Sequence, residues 1–274
     1  AAGSLISSVD DMAQWLRLHL GGGMRSSESG GDVTLFSAEQ QHAMWSPHTL
    51  LPLSQAFRAR NPGTHFRATG LGWFLRDYHG RRLIEHGGGY DGMFSRVALV
   101  PEEDLGVVVL TNSMTALASA LTYRIVDAYL GVTQPDGQVR DYSADYRTFD
   151  RNGRANFYAR IDCATVDRGD TPPTLALADY GGRYDGDLYG AASVTFEDAG
   201  LVLRFDAASE LVADLTHLHG DVFRLDWRTE YAWFGSGNAQ FVLSPTNEIQ
   251  ELRLDVPNDD LWIYELDLQR VEVE

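Results

Sequence analysis

The last hundred residues alternate between apolar and polar positions. Leu201, Leu203 and Phe205 fall at every second place, as do Phe223, Leu225 and Trp227. Leu252, Leu254 and Val256 repeat the pattern, and then Trp262, Tyr264, Leu266 and Leu268. A period of two puts such residues on one face of a strand. Turn signals separate these runs at Asp185-Gly186, Ala199-Gly200, Gly220 and Gly235-Ser-Gly-Asn238. Their spacing, roughly 8–12 residues, is that of a sandwich or barrel. A small antiparallel β-barrel is expected over 174–274.

The first half reads differently. Ser8, with Asp11 three residues on, starts a helix in which Met12, Trp15, Leu16 and Leu20 share a face. Gly21-Gly-Gly23 ends it. A Ser/Gly/Glu stretch reaches Asp32, and a short helix follows Ser37, with Gln40 at the capping-box position and Ala43 and Met44 inside. Residues 46–69 carry three prolines and little periodicity, so they read as a long surface loop. Residues 70–78 and 81–85 then form a hairpin about His79-Gly80. A third strand spans 94–100, and Val107–Thr111 is a continuous apolar strand, expected to be buried on both faces. A helix from about 114 to 130 presents Leu117, Leu121, Ile125 and Ala128, and Gly131 stops it. Hairpins between helices define an α+β unit over 1–135. Residues 136–173, polar and aromatic with Pro172-Pro173 near their end, read as a connecting arm.

Charge sharpens this division. Residues 1–135 carry 12 acidic and 10 basic groups; residues 136–274 carry 27 acidic and 12 basic. The net charge of −17 argues against nucleic acid, because little here would neutralise a run of phosphates. All 22 basic residues are arginine. With no lysine, a Walker P-loop, a Schiff-base lysine and a Ser-x-x-Lys pair within the chain are excluded. The one cysteine, Cys163, excludes an intramolecular disulfide and a cysteine-based zinc site, and reads as a small buried residue. No stretch is apolar for long enough to span a membrane. His217-x-His219 puts two imidazoles on one strand face without a third ligand, so no metal is expected there. No cofactor is expected either.

The strongest local feature is His86-Gly87-Gly88-Gly89-Tyr90-Asp91-Gly92. Four glycines in seven positions require either positive φ or the close approach of another group. A dinucleotide loop needs a helix to follow, and here Met-Phe-Ser-Arg-Val-Ala-Leu-Val continues as a strand. A lipase oxyanion loop needs a G-x-S-x-G elbow, which the chain lacks. Two readings stay open on the residues alone: an ordinary glycine-rich hairpin, and the end of an active-site strand in a penicillin-recognising serine hydrolase.

Gly3-Ser-Leu-Ile-Ser-Ser-Val-Asp-Asp-Met-Ala-Gln-Trp15, Gly70-Leu-Gly-Trp73, His86-Gly-Gly-Gly-Tyr-Asp-Gly-Met-Phe-Ser95 and Val107-Val-Val-Leu-Thr-Asn112 come in a telling order. Together they resemble the C-terminal portion of the class C β-lactamase-like serine hydrolases, a family that includes penicillin-binding D-Ala-D-Ala carboxypeptidases, D-amino-acid peptidases and esterases. The segment from Leu177-Ala-Asp-Tyr-Gly-Gly-Arg-Tyr184 onward resembles the lipocalin-like barrel often appended to them. The resemblance implies that His86 takes the place of a motif Lys or His. It implies that Gly88 is the motif glycine and that Gly89 offers an oxyanion-hole N–H. Gly87, Tyr90 and Asp91 would then line the substrate pocket; for Tyr90 and Asp91 the other reading, that they only shape the turn, stays open.

The family's Ser-x-x-Lys and Tyr-x-Asn motifs are absent; none of the twelve tyrosines has Asn two residues later. The resemblance therefore implies a nucleophile outside this chain, which alone is expected to be inactive. In the family, N-terminal strands pair beside the strand corresponding to Val107–Thr111. The expected partner is thus the missing N-terminal half or a second copy, acting on a small acyl, peptide or ester substrate. One cysteine does not fix the compartment; the family resemblance favours a periplasmic or secreted setting, with a cytoplasmic one left open. The rival expectation is a non-catalytic ligand-binding or regulatory protein built on the barrel.

Overall fold

The computed structural model of the chain describes residues 3, 5–26, 31–90, 92–166, 169, 171–231, 235–258 and 263–272. The chain divides into two compact units, 1–151 and 152–274. The first runs α1 (Val9–Leu20), β1 (Met24–Ser26), β2 (Asp32–Thr34), α2 (Ala38–Met44), β3 (Thr49–Leu51), α3 (Gln55–Arg60), β4 (Arg67–Thr69) and β5 (Phe74–Tyr78). It continues through β6 (Arg81–Tyr90), β7 (Met93–Val100), β8 (Leu105–Thr111) and α4 (Leu117–Leu130). The division between the units falls inside α5 (Ser143–Ala164). Among the described residues no helix is long and apolar enough to cross a membrane.

Six antiparallel strands form one sheet in the order β3-β4-β5-β6-β7-β8. Successive side chains on a strand point to opposite faces, so neighbours such as Leu83 and Ile84 enter different cores. Leu83, Ala98 and Val107 pack with Ala120, Tyr123 and Val126 of α4. Ile84, Leu75 and Leu99 pack with Leu16 of α1 and with Trp73. The two helix starts follow the capping rules: Ser8 Oγ accepts from the Asp11 N–H, and Ser37 and Gln40 make a reciprocal capping box.

Several expectations change. Residues 46–69 are not a loop: β3, α3 and β4 lie there, and β3 and β4 extend the sheet. Elements of three to six residues are too short to show a period. The Ser/Gly/Glu stretch is framed by the hairpin β1–β2, and the strand expected from Gly70 begins at Phe74. In α1 the buried residues are Leu16, Leu18 and His19, while Trp15 is partly exposed. Strand β8 is not buried on both faces along its length. Among the described residues it is the sheet edge, pairs only with β7, and buries only Val107. In α4 the apolar stripe Leu117, Leu121, Ile125 and Ala128 is exposed; the buried residues are Ala118, Ser119, Ala120, Thr122, Tyr123, Val126 and Asp127. Of these buried residues, Tyr123 and Asp127 bond Glu85 and Tyr78 of the sheet, while Thr122 Oγ1 donates to the Ala118 carbonyl of its own helix at 2.8 Å.

The second unit is a closed antiparallel barrel. It comprises β9 (Gly182–Asp185), β10 (Ala192–Glu197), β11 (Gly200–Phe205), β12 (Ala208–His219), β13 (Val222–Trp227), β14 (Gly237–Leu243), β15 (Ile249–Asp255) and β16 (Leu268–Val271), and β16 pairs back onto β9. Closure removes unpaired edges. The predicted inward positions Leu201, Leu203, Phe223, Leu225, Leu252 and Leu254 are buried. Tyr264 is not: it lies in a 3-10 turn (Ile263–Glu265) and is exposed, and Trp262 lies outside the described residues. Cys163 is likewise exposed rather than buried.

His19 is fully buried in a box of rings, with centroids of Trp15, Phe36, Trp45 and Trp73 at 4.4, 5.0, 5.8 and 5.0 Å. Neither ring nitrogen has a hydrogen-bond partner. Burial pushes its imidazole down to about 4 from the usual 6.5. The unfolded chain therefore takes up this proton first as pH falls, so the contribution is complete above pH 6.5 and fades toward pH 4. Between pH 7 and pH 5 the wild-type chain should lose about 2 kcal/mol through this group. His19→Leu should flatten that slope in urea unfolding; an unchanged slope would contradict the assignment.

Candidate active site

Strand β6 outruns its neighbour. Phe74, the first residue of β5, pairs with Glu85, and the next five residues of β6 have β7 on one side only. The pairs are His86 with Val97, Gly87 with Arg96, Gly88 with Ser95, Gly89 with Phe94 and Tyr90 with Met93. Among the described residues no strand lies against the other edge of His86–Tyr90. Its backbone N–H and C=O groups are available to an extended chain. The His86 side chain is exposed, and its ring stacks on Phe74 at 5.5 Å. Tyr90 is exposed at the far end, and a Cβ on Gly3 would lie 3.4 Å from its ring.

Close approach explains Gly87 and Gly88. Gly87, Gly88 and Gly89 are extended, and of this run only Gly92 has a positive φ, +80°, at the turn into β7. A Cβ on Gly88 would stand 2.9 Å from Ser95 Oγ, whose hydroxyl donates to the Gly88 carbonyl at 3.3 Å. A Cβ on Gly87 would stand 3.2 Å from Arg96 Nη1. The residues that the sequence groups as a site, His86 to Tyr90, are thus brought together on one strand. Asp91 lies outside the described residues.

Glu85 points to the opposite face and anchors the strand. Arg76 Nε lies 3.2 Å from its Oε1, and Arg96 Nη2 lies 2.9 Å from its Oε2. Tyr123 of α4 donates to Oε2 at 2.8 Å and accepts from Arg96 Nη2 at 2.6 Å. Arg76 Nη1 reaches Asn61 Oδ1 at 2.8 Å and Thr64 Oγ1 at 3.0 Å. Arg76 Nη2 has no hydrogen bond, but the guanidinium lies over the rings of Tyr78 and Tyr123. Burial alone would raise the Glu85 carboxyl; the two guanidiniums overcome it and hold the group below the usual carboxylate range. Next to this cluster, Tyr78 and Tyr142 both hydrogen-bond Asp127, Tyr142 at 2.7 Å. Burial, with Asp127 as acceptor, pushes the Tyr142 phenol up to about 12.

Sequence reading missed this cluster. The available signal was a charged residue on the inward face of a strand, Arg76 in Phe74–Tyr78 and Glu85 after Leu83-Ile84. In the barrel, a register shift separates His217 from His219, and His217 Nε2 is 2.9 Å from the Gly220 carbonyl. Among the described residues no group of three potential metal ligands occurs.

Residues 1–130 match the Beta-lactamase family, and residues 167–272 match a domain of unknown function, DUF3471. The chain thus joins a β-lactamase-like unit to a closed barrel domain. It is 30% identical to an unguisins hydrolase of Aspergillus violaceofuscus, over 89% of this chain and 44% of that protein. A second unguisins hydrolase, from Aspergillus campestris, is 29% identical over 72% of this chain and 35% of its own length. The chain spans less than half the length of these relatives. Among solved structures, the octameric penicillin-binding protein homologue from Pyrococcus abyssi is 17% identical, covering 96% of this chain and 47% of that one, with a TM-score of 0.39. The C-terminal domain of another penicillin binding protein is 33% identical, covering 32% of this chain and 78% of that one, with a TM-score of 0.27.

Removing one partner of a buried ion pair strands the other charge. Glu85→Ala should lower the unfolding free energy by about 3–5 kcal/mol, read as an earlier urea midpoint. A loss below about 1 kcal/mol would place the pair among solvent-screened surface bridges instead.

Proposed function

We propose that this chain is the C-terminal portion of a serine hydrolase that cleaves amide or ester acyl groups. The observation that carries the reading is the open edge of His86–Tyr90 beside an exposed imidazole, in a β-lactamase-like unit. An extended acyl substrate pairs along that edge, which the glycines keep clear of side chains. A serine outside this chain, activated by its neighbouring lysine, attacks the carbonyl. The Gly89 N–H, beside the motif glycine Gly88, takes up the developing oxyanion charge. The leaving amine or alcohol departs with a proton, His86 standing at that side of the site. Water then attacks the acyl-enzyme and releases the acid. Gly87, Tyr90 and Asp91 belong to the substrate-binding wall. The relatives' description as hydrolases supports this reading.

The nucleophile's absence from the chain has a counterpart on the surface. Among the described residues no strand pairs with the outer edge of β8, and Leu110 on it is exposed. Leu117, Leu121 and Ile125 form an exposed stripe at i, i+4 and i+8 on α4. Edges and apolar stripes of this kind are ordinarily covered. We infer that the polypeptide carrying Ser-x-x-Lys and Tyr-x-Asn covers them, and that the chain alone self-associates there.

Two outcomes follow. The 274-residue chain alone should not turn over p-nitrophenyl acetate, and adding the polypeptide with the two motifs should restore turnover. In that assembly His86→Ala should lower kcat/KM by about 10²–10⁴. Robust turnover by the chain alone would overturn the claim that the nucleophile lies outside. In solution, the isolated chain should elute larger than a monomer, with amides of β8 exchanging slowly only in the associated state. A compact monomer with a fully protected β8 would contradict the covered-edge reading.

A further inference from the structure

The barrel's interior is full. Tyr184, Phe223, Phe241, Leu203, Leu225 and Leu252 are among its fully buried side chains, so a ligand does not enter as it would a hollow barrel. A cavity of this unit lies outside, between the last turns of α5 and the outer wall of β13, β14 and β15. It measures about 550 Å³, within the range of small-ligand sites.

Register explains how its lining converges. Val222 pairs with Gln240, and Gln240 with Arg253, so these three outward positions form a row across three strands. Asp255 stands two residues beyond Arg253 on β15, about 7 Å along the strand. Arg160 reaches the cavity from α5, where its Nη2 also donates to the Asn258 carbonyl at 3.4 Å. Elsewhere on the wall, Asp214, Asp226, Glu197 and Glu251 each hold an arginine. The Asp255 carboxylate has no such partner among the described residues. Arg253 pairs with Glu251 through Nε and Nη2, leaving Nη1 outside that pair. Residues 152–274 hold 23 acidic and 9 basic groups, and two of those nine arginines line this one cavity.

The geometry points to a binding site for a short zwitterionic peptide with apolar side chains, of about two residues given this volume. Its C-terminal carboxylate meets the guanidiniums of Arg253 and Arg160, which favour planar, two-pronged carboxylate contacts. Its N-terminal ammonium meets Asp255. The Gln240 carboxamide is placed for the peptide bond, and Val222, Val166 and Pro257 meet the side chains. The site needs no part of the hydrolase reading, since every group lies within the barrel unit.

The test uses the 274-residue chain and leucyl-leucine, titrated by calorimetry and by amide chemical shifts. N-acetyl-leucyl-leucine, which lacks the ammonium, and leucyl-leucine amide, which lacks the carboxylate, are the comparators. Leucyl-leucine should bind with a Kd below about 1 mM, and each comparator about tenfold or more weaker. Arg253→Gln should erase the preference for the free carboxylate, and Asp255→Asn the preference for the free ammonium. Both positions are exposed, so unchanged melting curves are expected to show that the variants fold. No binding up to about 10 mM, equal binding of all three peptides, or full binding by both variants would overturn the proposal.

Discussion

The Glu85 carboxylate is held between two guanidiniums with almost no water beside it, and much of the first unit is arranged around that contact. A buried charge is tolerated only when its lone pairs are occupied and its partners are fixed. Here the partners come from separate strands and a helix. Arg76 is on β5, Arg96 on β7 and Tyr123 on α4. Asn61 and Thr64 hold Arg76 in turn. Satisfying one carboxylate therefore sets the register of three strands and the helix that lies on them.

The same contact shapes the strand that follows it. Arg96 reaches Glu85 by lying over Gly87, where a methyl group would stand only 3.2 Å from its guanidinium. On the other face Ser95 needs the space left by Gly88. Gly87 and Gly88 are thus demanded by what packs on the two faces of the strand. His86 and the open edge then sit one residue from a rigid ionic anchor. That proximity gives a structural basis for the proposed site, because a group that assists proton transfer gains from a fixed backbone.

Part of this was legible in the sequence and part was not. The barrel showed itself because its strands keep one face dry, so Leu201, Leu203 and Phe205 or Leu252 and Leu254 alternate cleanly. The helix starts at Ser8 and Ser37 were legible because capping is local chemistry. The glycine motif marked the candidate site, and its ordered neighbours marked the family. What misled was α4. Leu117, Leu121 and Ile125 make a convincing apolar face, but the helix buries Tyr123 and Asp127 because the sheet beneath offers arginines and tyrosines. Periodicity reports where apolar residues recur, not which face meets a polar core. Short β3 and β4 also escaped, since three residues carry no measurable period. The outer cavity of the barrel was invisible for a related reason: Arg160 and Arg253 are 93 positions apart in the chain and meet only through the fold.

The central claim is that this chain supplies the His86 strand and not the nucleophile. Covalent labelling tests it most directly. The 274-residue chain is treated with a fluorophosphonate probe, alone and together with the polypeptide bearing Ser-x-x-Lys, and intact masses are measured. The account predicts no adduct on this chain in either case, and one adduct on the serine of the added polypeptide. A stoichiometric adduct on any serine of the 274 residues would contradict it.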